Sequence, residues 1–113
     1  MAKQIKRADR IVLSSGNVFA DLGLPDAVEL DTKMRLLVAI NRLLTARRLT
    51  QAAAAEVLSI NQPKVSALKH YKVDGFSVER LMIFLTALGS DIEIRIRTPK
   101  RASVPGRIWV QAA

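Results

Sequence analysis

Residues 51–70 hold two short apolar-faced segments on either side of a break only a few residues long. That spacing constrains the fold more than any other feature of the chain. The segment Gln51 to Leu58 is rich in alanine, the best helix former, and Thr50 ahead of it reads as an N-cap. Ser59-Ile60 interrupts it. Asn61 is the next N-cap. Pro63 falls in the first turn of the following helix, where a missing N–H costs nothing. Ala54, Leu58, Ile60, Val65 and Leu68 are apolar where two helices joined in this way bury their shared faces. Ala55 is small enough to let the second helix of the pair come close, and Val65 lies ten residues after it with the turn between them.

The flanking sequence supplies more helices. Leu36, Leu37, Ile40, Leu43 and Leu44 recur at helical spacing and predict a helix over 32–48. Arg35, Arg42, Arg47 and Arg48 fall largely outside that stripe, and the last two suit a helix C-terminus. Pro25 opens a short helical stretch, Asp26 to Leu30. The helix that begins after Asn61 runs to about Tyr71, and Asp74-Gly75 marks a turn. Ser77 caps a helix over Val78 to Leu88, with Phe76 and Leu81 placed for a hydrophobic staple. Leu81, Phe84, Leu85 and Leu88 form its stripe, and Gly89 is its stop. The count is therefore five helices.

Beyond Gly89 the period changes. Isoleucine alternates strictly with charge from Asp91 to Arg97, the pattern of a half-buried β-strand. Pro99 ends it, residues 99–106 form a basic linker, and Ile108-Trp109-Val110 reads as a second short strand. At the other end, residues 1–20 show no sustained period. Ser14-Ser15-Gly16-Asn17 is a turn, residues 1–10 are expected to be mobile, and Val18, Phe19, Leu22 and Leu24 are candidate anchors. The organisation predicted is an N-terminal arm (1–24), a helical domain (25–89), and a C-terminal strand with a basic tail (90–113).

With 113 residues, half of them hydrophobic and 4% aromatic, the chain fits one domain with an aliphatic core. The net charge is +8, and four of the ten acids fall within residues 21–31, so the remainder is more basic than the total. A basic chain attracts polyanions such as DNA, although a solvated surface has the same composition. The absence of cysteine excludes disulfides, thiolate catalysis and cysteine-ligated zinc. His70 is the sole histidine, so no metal cluster is expected, and no glycine loop for a phosphate cofactor is present. Ser14-Ser15-Gly16 lacks the surroundings of a nucleophile elbow. The expectation is a protein with no catalytic residue, no cofactor and no metal. The apolar stretch Ile11-Val12-Leu13 is too short for a signal peptide, and no run approaches the roughly 20 apolar residues of a membrane span. A soluble, cytoplasmic protein is expected.

Thr50-Gln51 with Ala55, followed by Ile60-Asn61-Gln62-Pro63-Lys64-Val65-Ser66-Ala67-Leu68, resembles the signature of the Cro/C1 (Xre) family of helix-turn-helix regulators. Ser59 stands where that family usually has glycine, and serine takes a positive φ less easily. Two further segments, Ser15 to Leu24 and Ala87 to Ile94, are similar to HigA-type antitoxins, whose partners are RelE/HigB-like mRNA-cleaving toxins. The resemblance implies a mainly α, five-helix, lambda-repressor-like domain with a C-terminal β-strand. Its implied function is a sequence-specific repressor, the antitoxin of a toxin-antitoxin operon, that acts on its own promoter and neutralises the toxin.

In such a fold the N-terminal part of the second helix of the pair lies at the base edges of the major groove. Val65 and Leu68 define the buried side, and Asn61, Gln62, Pro63, Ser66, Ala67 and His70 the opposite one. The expected base-contacting residues are Asn61, Gln62, Lys64, Ser66, Ala67 and His70. Gln62 is the strongest, because glutamine can bond adenine at N6 and N7 together, while Ala67 suits a thymine methyl. Gln51, Arg47, Arg48, Lys69 and Lys72 are the expected phosphate contacts, which set register and affinity. The plainer readings are a cap or surface position for Gln62, a surface position for His70, dipole partners for Arg47 and Arg48, and solvated side chains for Lys64 and Lys69. A lone strand must pair, so residues 91–97 pair either with Ile108-Trp109-Val110 or with a second chain. The expectation is a homodimer reading half-sites about 34–36 Å apart. Asp21, Asp26, Glu29 and Asp31 form either a soluble cap or a docking surface for a basic toxin. The competing functions are a stand-alone regulator without a toxin, a protein-interaction module on the same scaffold, and a nonspecific nucleic-acid binder.

Overall fold

The computed structural model describes residues 25–101 and 105–112. Four helices stand among them: α1 (Pro25–Ala46), α2 (Gln51–Leu58), α3 (Gln62–Lys69) and α4 (Val78–Ala87). The last three open at the expected caps. The side-chain oxygens of Thr50, Asn61 and Ser77 accept from the N–H groups of Ala53, Lys64 and Arg80 at 3.1, 2.9 and 3.0 Å. Each cap satisfies an N–H that the helix itself leaves without a partner.

The expected short helix at 26–30 and the long helix at 32–48 are one continuous element, so the described residues hold four helices and not five. Asp31-Thr32 does not interrupt the chain because each side chain finds a partner four residues away in the helix, although Asp31 Oδ1 and Arg35 Nη2 are buried with no partner among the described residues. Thr32 Oγ1 donates to the Val28 carbonyl at 3.0 Å, and the Asp31 carboxylate accepts from Arg35 Nε at 3.0 Å. The N-terminal arm and its candidate anchors Val18, Phe19, Leu22 and Leu24 lie outside the described residues.

All four helices close in the same way. Arg48, Ser59, Tyr71 and Gly89 take left-handed φ values of 53°, 58°, 60° and 96°. The next residue then turns back: Leu49, Ile60, Lys72 and Ser90 donate to the carbonyls of Leu44, Ala55, Ala67 and Leu85 at 3.1, 3.0, 2.9 and 3.0 Å. These are Schellman closures, which favour glycine at the left-handed position. Only α4 has glycine there. Ser59 takes the strained conformation that its position in the turn implied.

α1 packs along α4, and α2 packs against α3. Leu37, Ile40, Ala54, Val65, Leu68 and Leu81 are fully buried where these pairs meet. Ala54, not Ala55, is the alanine wholly enclosed at this junction; Ala55 is half-buried against it. Phe76 and Leu81 both enter the core, and the Phe76 ring meets Phe84 edge-on at 5.9 Å.

The expected strand is not formed among the described residues. Residues 91–99 carry no strand pairing, and Ile94 and Ile96 are 73% and 89% exposed. Nor does Ile108-Trp109-Val110 pair with them. Val110 instead rests against the core, while the Arg107 guanidinium sits 4.7 Å over the Trp109 ring. A strand depends on a neighbour for its N–H and C=O partners, and the described residues bring none to residues 91–97.

Candidate nucleic-acid interface

α3 is anchored from one side. Val65 and Leu68 have no exposed surface, and Ala67 is half-buried against the same core. Asn61, Gln62, Pro63 and Lys64 are all exposed, one after another, at the N-terminal end. The Asn61 cap uses only the side-chain oxygen, so its NH₂ group remains for another partner. At the far end His70 is exposed and turned back on its own helix. Its Nδ1 lies 2.8 Å from the Ser66 carbonyl and 3.4 Å from Ser66 Oγ. Of the expected base-contacting residues, Asn61, Gln62, Lys64 and His70 are exposed. Ser66 is half-buried.

The sequence around this helix is rich in cations. Residues 47–72 contain five lysines and arginines against one carboxylate, Glu56. Among the described residues the ion pairs are Lys33 with Glu29 (3.1 Å), Arg35 with Asp31 (3.0 Å) and Arg95 with Glu93 (3.6 Å), and none uses those five cations. Arg48 and Lys72 are exposed, while Lys69 is half-buried. Gln51 is the first residue of α2 and half-buried. Arg47 is exposed but already engaged: its Nη1 donates to the Leu88 carbonyl at 3.3 Å and ties the end of α1 to the end of α4.

Two short capped helices in tight contact, one presenting an open polar end, match a known family. A model described as "Helix-turn-helix domain" matches residues 18–97. A solved structure named "Putative XRE Family Transcriptional Regulator" is 57% identical, with a TM-score of 0.74, over 79% of this chain and 100% of its own. The chain belongs to the XRE family of helix-turn-helix regulators. No curated protein matches it.

Within this XRE-type domain α3 is the helix expected to read DNA, and one residue that holds it has no signature in the sequence. Asn41, on α1, donates through Nδ2 to the Leu68 carbonyl at 3.0 Å and to the Leu37 carbonyl of its own helix at 3.1 Å. A polar residue in mid-helix carries no local sign of such a bond. Only the crossing of α1 and α3 shows it.

The acidic stretch divides. Asp21 lies outside the described residues. Asp26 is exposed, and Glu29 is exposed and paired with Lys33. Asp31 is buried, with its carboxylate on Arg35. This corrects the expectation that Asp31 belongs to a docking surface, because its charge is spent inside α1. Among the described residues no group of His, Asp or Glu side chains is arranged to hold a metal ion, and no helix is long and apolar enough to cross a membrane.

Proposed function

We propose that this XRE-family protein is a sequence-specific DNA-binding repressor that inserts the N-terminal turn of α3 into the major groove. The observation that carries the reading is the exposed run Asn61-Gln62-Pro63-Lys64 on a helix locked from behind by Val65 and Leu68. A rigid helix with a polar leading end can meet base edges without first ordering itself. Gln62 reads adenine through its paired donor and acceptor. Lys64 reaches guanine or phosphate, and Ser66, Ala67 and His70 contact bases further along the groove. Arg48, Lys69, Lys72 and the Gln51 end of α2 grip the backbone, with Arg47 a secondary contact because it also holds α4.

The finer parts of the reading concern partners. Residues 91–97 become a strand when two copies meet, which gives a homodimer whose two α3 helices read two half-sites. The antitoxin role rests on the likeness of residues 15–24 and 87–94 to HigA-type proteins. Asp26 and Glu29 are the described acidic residues that a basic toxin would meet, and Asp21 is a further candidate.

Fluorescence anisotropy against the DNA upstream of the protein's own gene and a scrambled duplex, over a range of salt, tests the central claim. The native site is expected to bind tightly, and Gln62→Ala to lose about 1–3 kcal/mol of discrimination. Lys64→Ala is expected to weaken both duplexes and flatten the salt dependence. Equal, salt-steep binding to both duplexes would identify a nonspecific binder, and no binding would identify a protein-interaction module. Co-purification of a toxin with the wild type and not with Asp26→Lys would establish the antitoxin role.

A further inference from the structure

α3 has eight residues. A helix that short does not hold its own shape in water, so its position is set by what packs on it. Apolar contacts at Val65 and Leu68 supply attraction but little direction, since burial of apolar surface is non-directional. Base recognition requires more, because a recognition group must be held to within about 0.5 Å and 10–20°. A directional bond from outside the helix pair is therefore the feature to look for, and Asn41 makes one.

We propose that Asn41 is a positioning residue for DNA recognition: half-buried on α1, it fixes the tilt and rotation of α3 against α1. The inference rests on the DNA-binding reading of α3. The two hydrogens of Asn41 Nδ2 go to two carbonyls, Leu37 on α1 and Leu68 on α3. The opposite amide orientation would set an oxygen against two oxygens, so the donor assignment follows from the partners. The Leu68 carbonyl is one of those left over at a helix C-terminus. It already accepts from the N–H of Tyr71 at 3.1 Å, and Asn41 takes its second lone pair. Both bonds converge at the end of α3 opposite its polar leading turn. One end of the helix is thus clamped and the other is presented. Rotation about the apolar contacts would stretch the Asn41 bond first.

Asn41 shares a surface hollow with Arg48 and Lys69, two of the cations assigned to phosphate, but carries no charge of its own. Its loss therefore affects how well the helix is aimed and not how strongly the protein is attracted to DNA. The test compares wild type with Asn41→Leu, which keeps the side chain's approximate volume and removes the donor, and with Asn41→Asp, which keeps the shape and sets a carboxylate against the Leu68 carbonyl. Binding to the native and scrambled duplexes is measured across salt, and amide hydrogen exchange is measured on the free proteins. The expected result for Asn41→Leu is a roughly 3- to 10-fold fall in the native-to-scrambled affinity ratio, in line with the worth of one hydrogen bond. The salt slope stays unchanged, because the same phosphates are neutralised. Exchange rises in α3 and not in α4. Asn41→Asp lowers the ratio at least as far.

A ratio that stays at the wild-type value in both variants overturns the proposal. So does a fall in ratio accompanied by faster exchange throughout the domain, since that marks general loosening. If the wild type itself fails to discriminate, the DNA reading has failed, and the exchange arm alone decides the clamp. Faster exchange confined to α3 supports it, and unchanged exchange rejects it.

Discussion

α4 and the segment 91–97 lie next to each other in the chain, and both announce an apolar face with equal clarity. In α4 the pattern is fulfilled: Leu81, Phe84 and Leu85 are buried, Ser77 caps the start and Gly89 turns the end. In 91–97 the alternation of isoleucine and charge leaves Ile92, Ile94 and Ile96 36%, 73% and 89% exposed. The difference is the source of the backbone hydrogen bonds. A helix supplies its own, four residues apart, so a capped helix needs only a surface to lie on. A strand takes all of its bonds from a neighbour. Apolar periodicity therefore states which side of a segment is to be buried, and not which partner will cover it.

The largest effect that this comparison predicts is in the core. Leu81→Ala removes a side chain with no exposed surface, and is expected to lower stability by about 2–5 kcal/mol. Ile94→Ala, seven-tenths exposed in the single chain, is expected to change it by less than about 0.5 kcal/mol. Urea unfolding at low protein concentration measures both. Comparable losses would break the comparison and show that the tail is part of the folded unit of one chain.

The same logic separates what was readable in the sequence from what was not. Thr50, Asn61 and Ser77 were legible as caps because capping is local, spanning three residues. The stripe Leu36, Leu37, Ile40 and Leu44 was legible because burial follows helical period. The break expected near Asp31 failed because its polar residues bond within the helix, a choice that composition does not reveal. The clamps were hidden for a deeper reason. Asn41 to Leu68 and Arg47 to Leu88 join positions 27 and 41 residues apart. Their existence depends on how helices cross. The exposed end of α3 was legible from the cap and the apolar side, but the half-buried setting of Ser66 and Ala67 required the neighbouring helices.

A smaller effect is expected at the turn between α2 and α3. Ser59 sits at φ 58° and ψ 44°, the left-handed cap of α2. Its side chain is exposed. Ser59→Gly relieves a left-handed penalty of about 1 kcal/mol but adds unfolded-state entropy. The net gain expected is about 0.5 kcal/mol, seen as a small rise in the urea midpoint with unchanged slope. A loss of stability would mean that the Ser59 hydroxyl holds the turn, and that this closure, unlike the one at Gly89, is not limited by backbone strain.

The smallest effect on stability, and the one that most sharpens the contrast between α4 and the tail, is expected from Ile96→Lys. In one chain Ile96 is 89% exposed, so at protein concentrations low enough to keep the wild type monomeric the substitution should leave the unfolding free energy within about 0.5 kcal/mol of wild type. Self-association is a different matter. If residues 91–97 are completed by the same segment of a second copy, the isoleucine row is the face that closes, and a buried lysine there opposes it. Sedimentation velocity over a range of concentrations is expected to show dimers for the wild type and monomers for Ile96→Lys, with the same helical circular dichroism signal in both. A variant that still dimerises would place the interface elsewhere, and the alternation would then be a strand pattern that the protein never uses. A variant that is monomeric and equally stable would show that the tail folds only in company, whereas α4 folds alone.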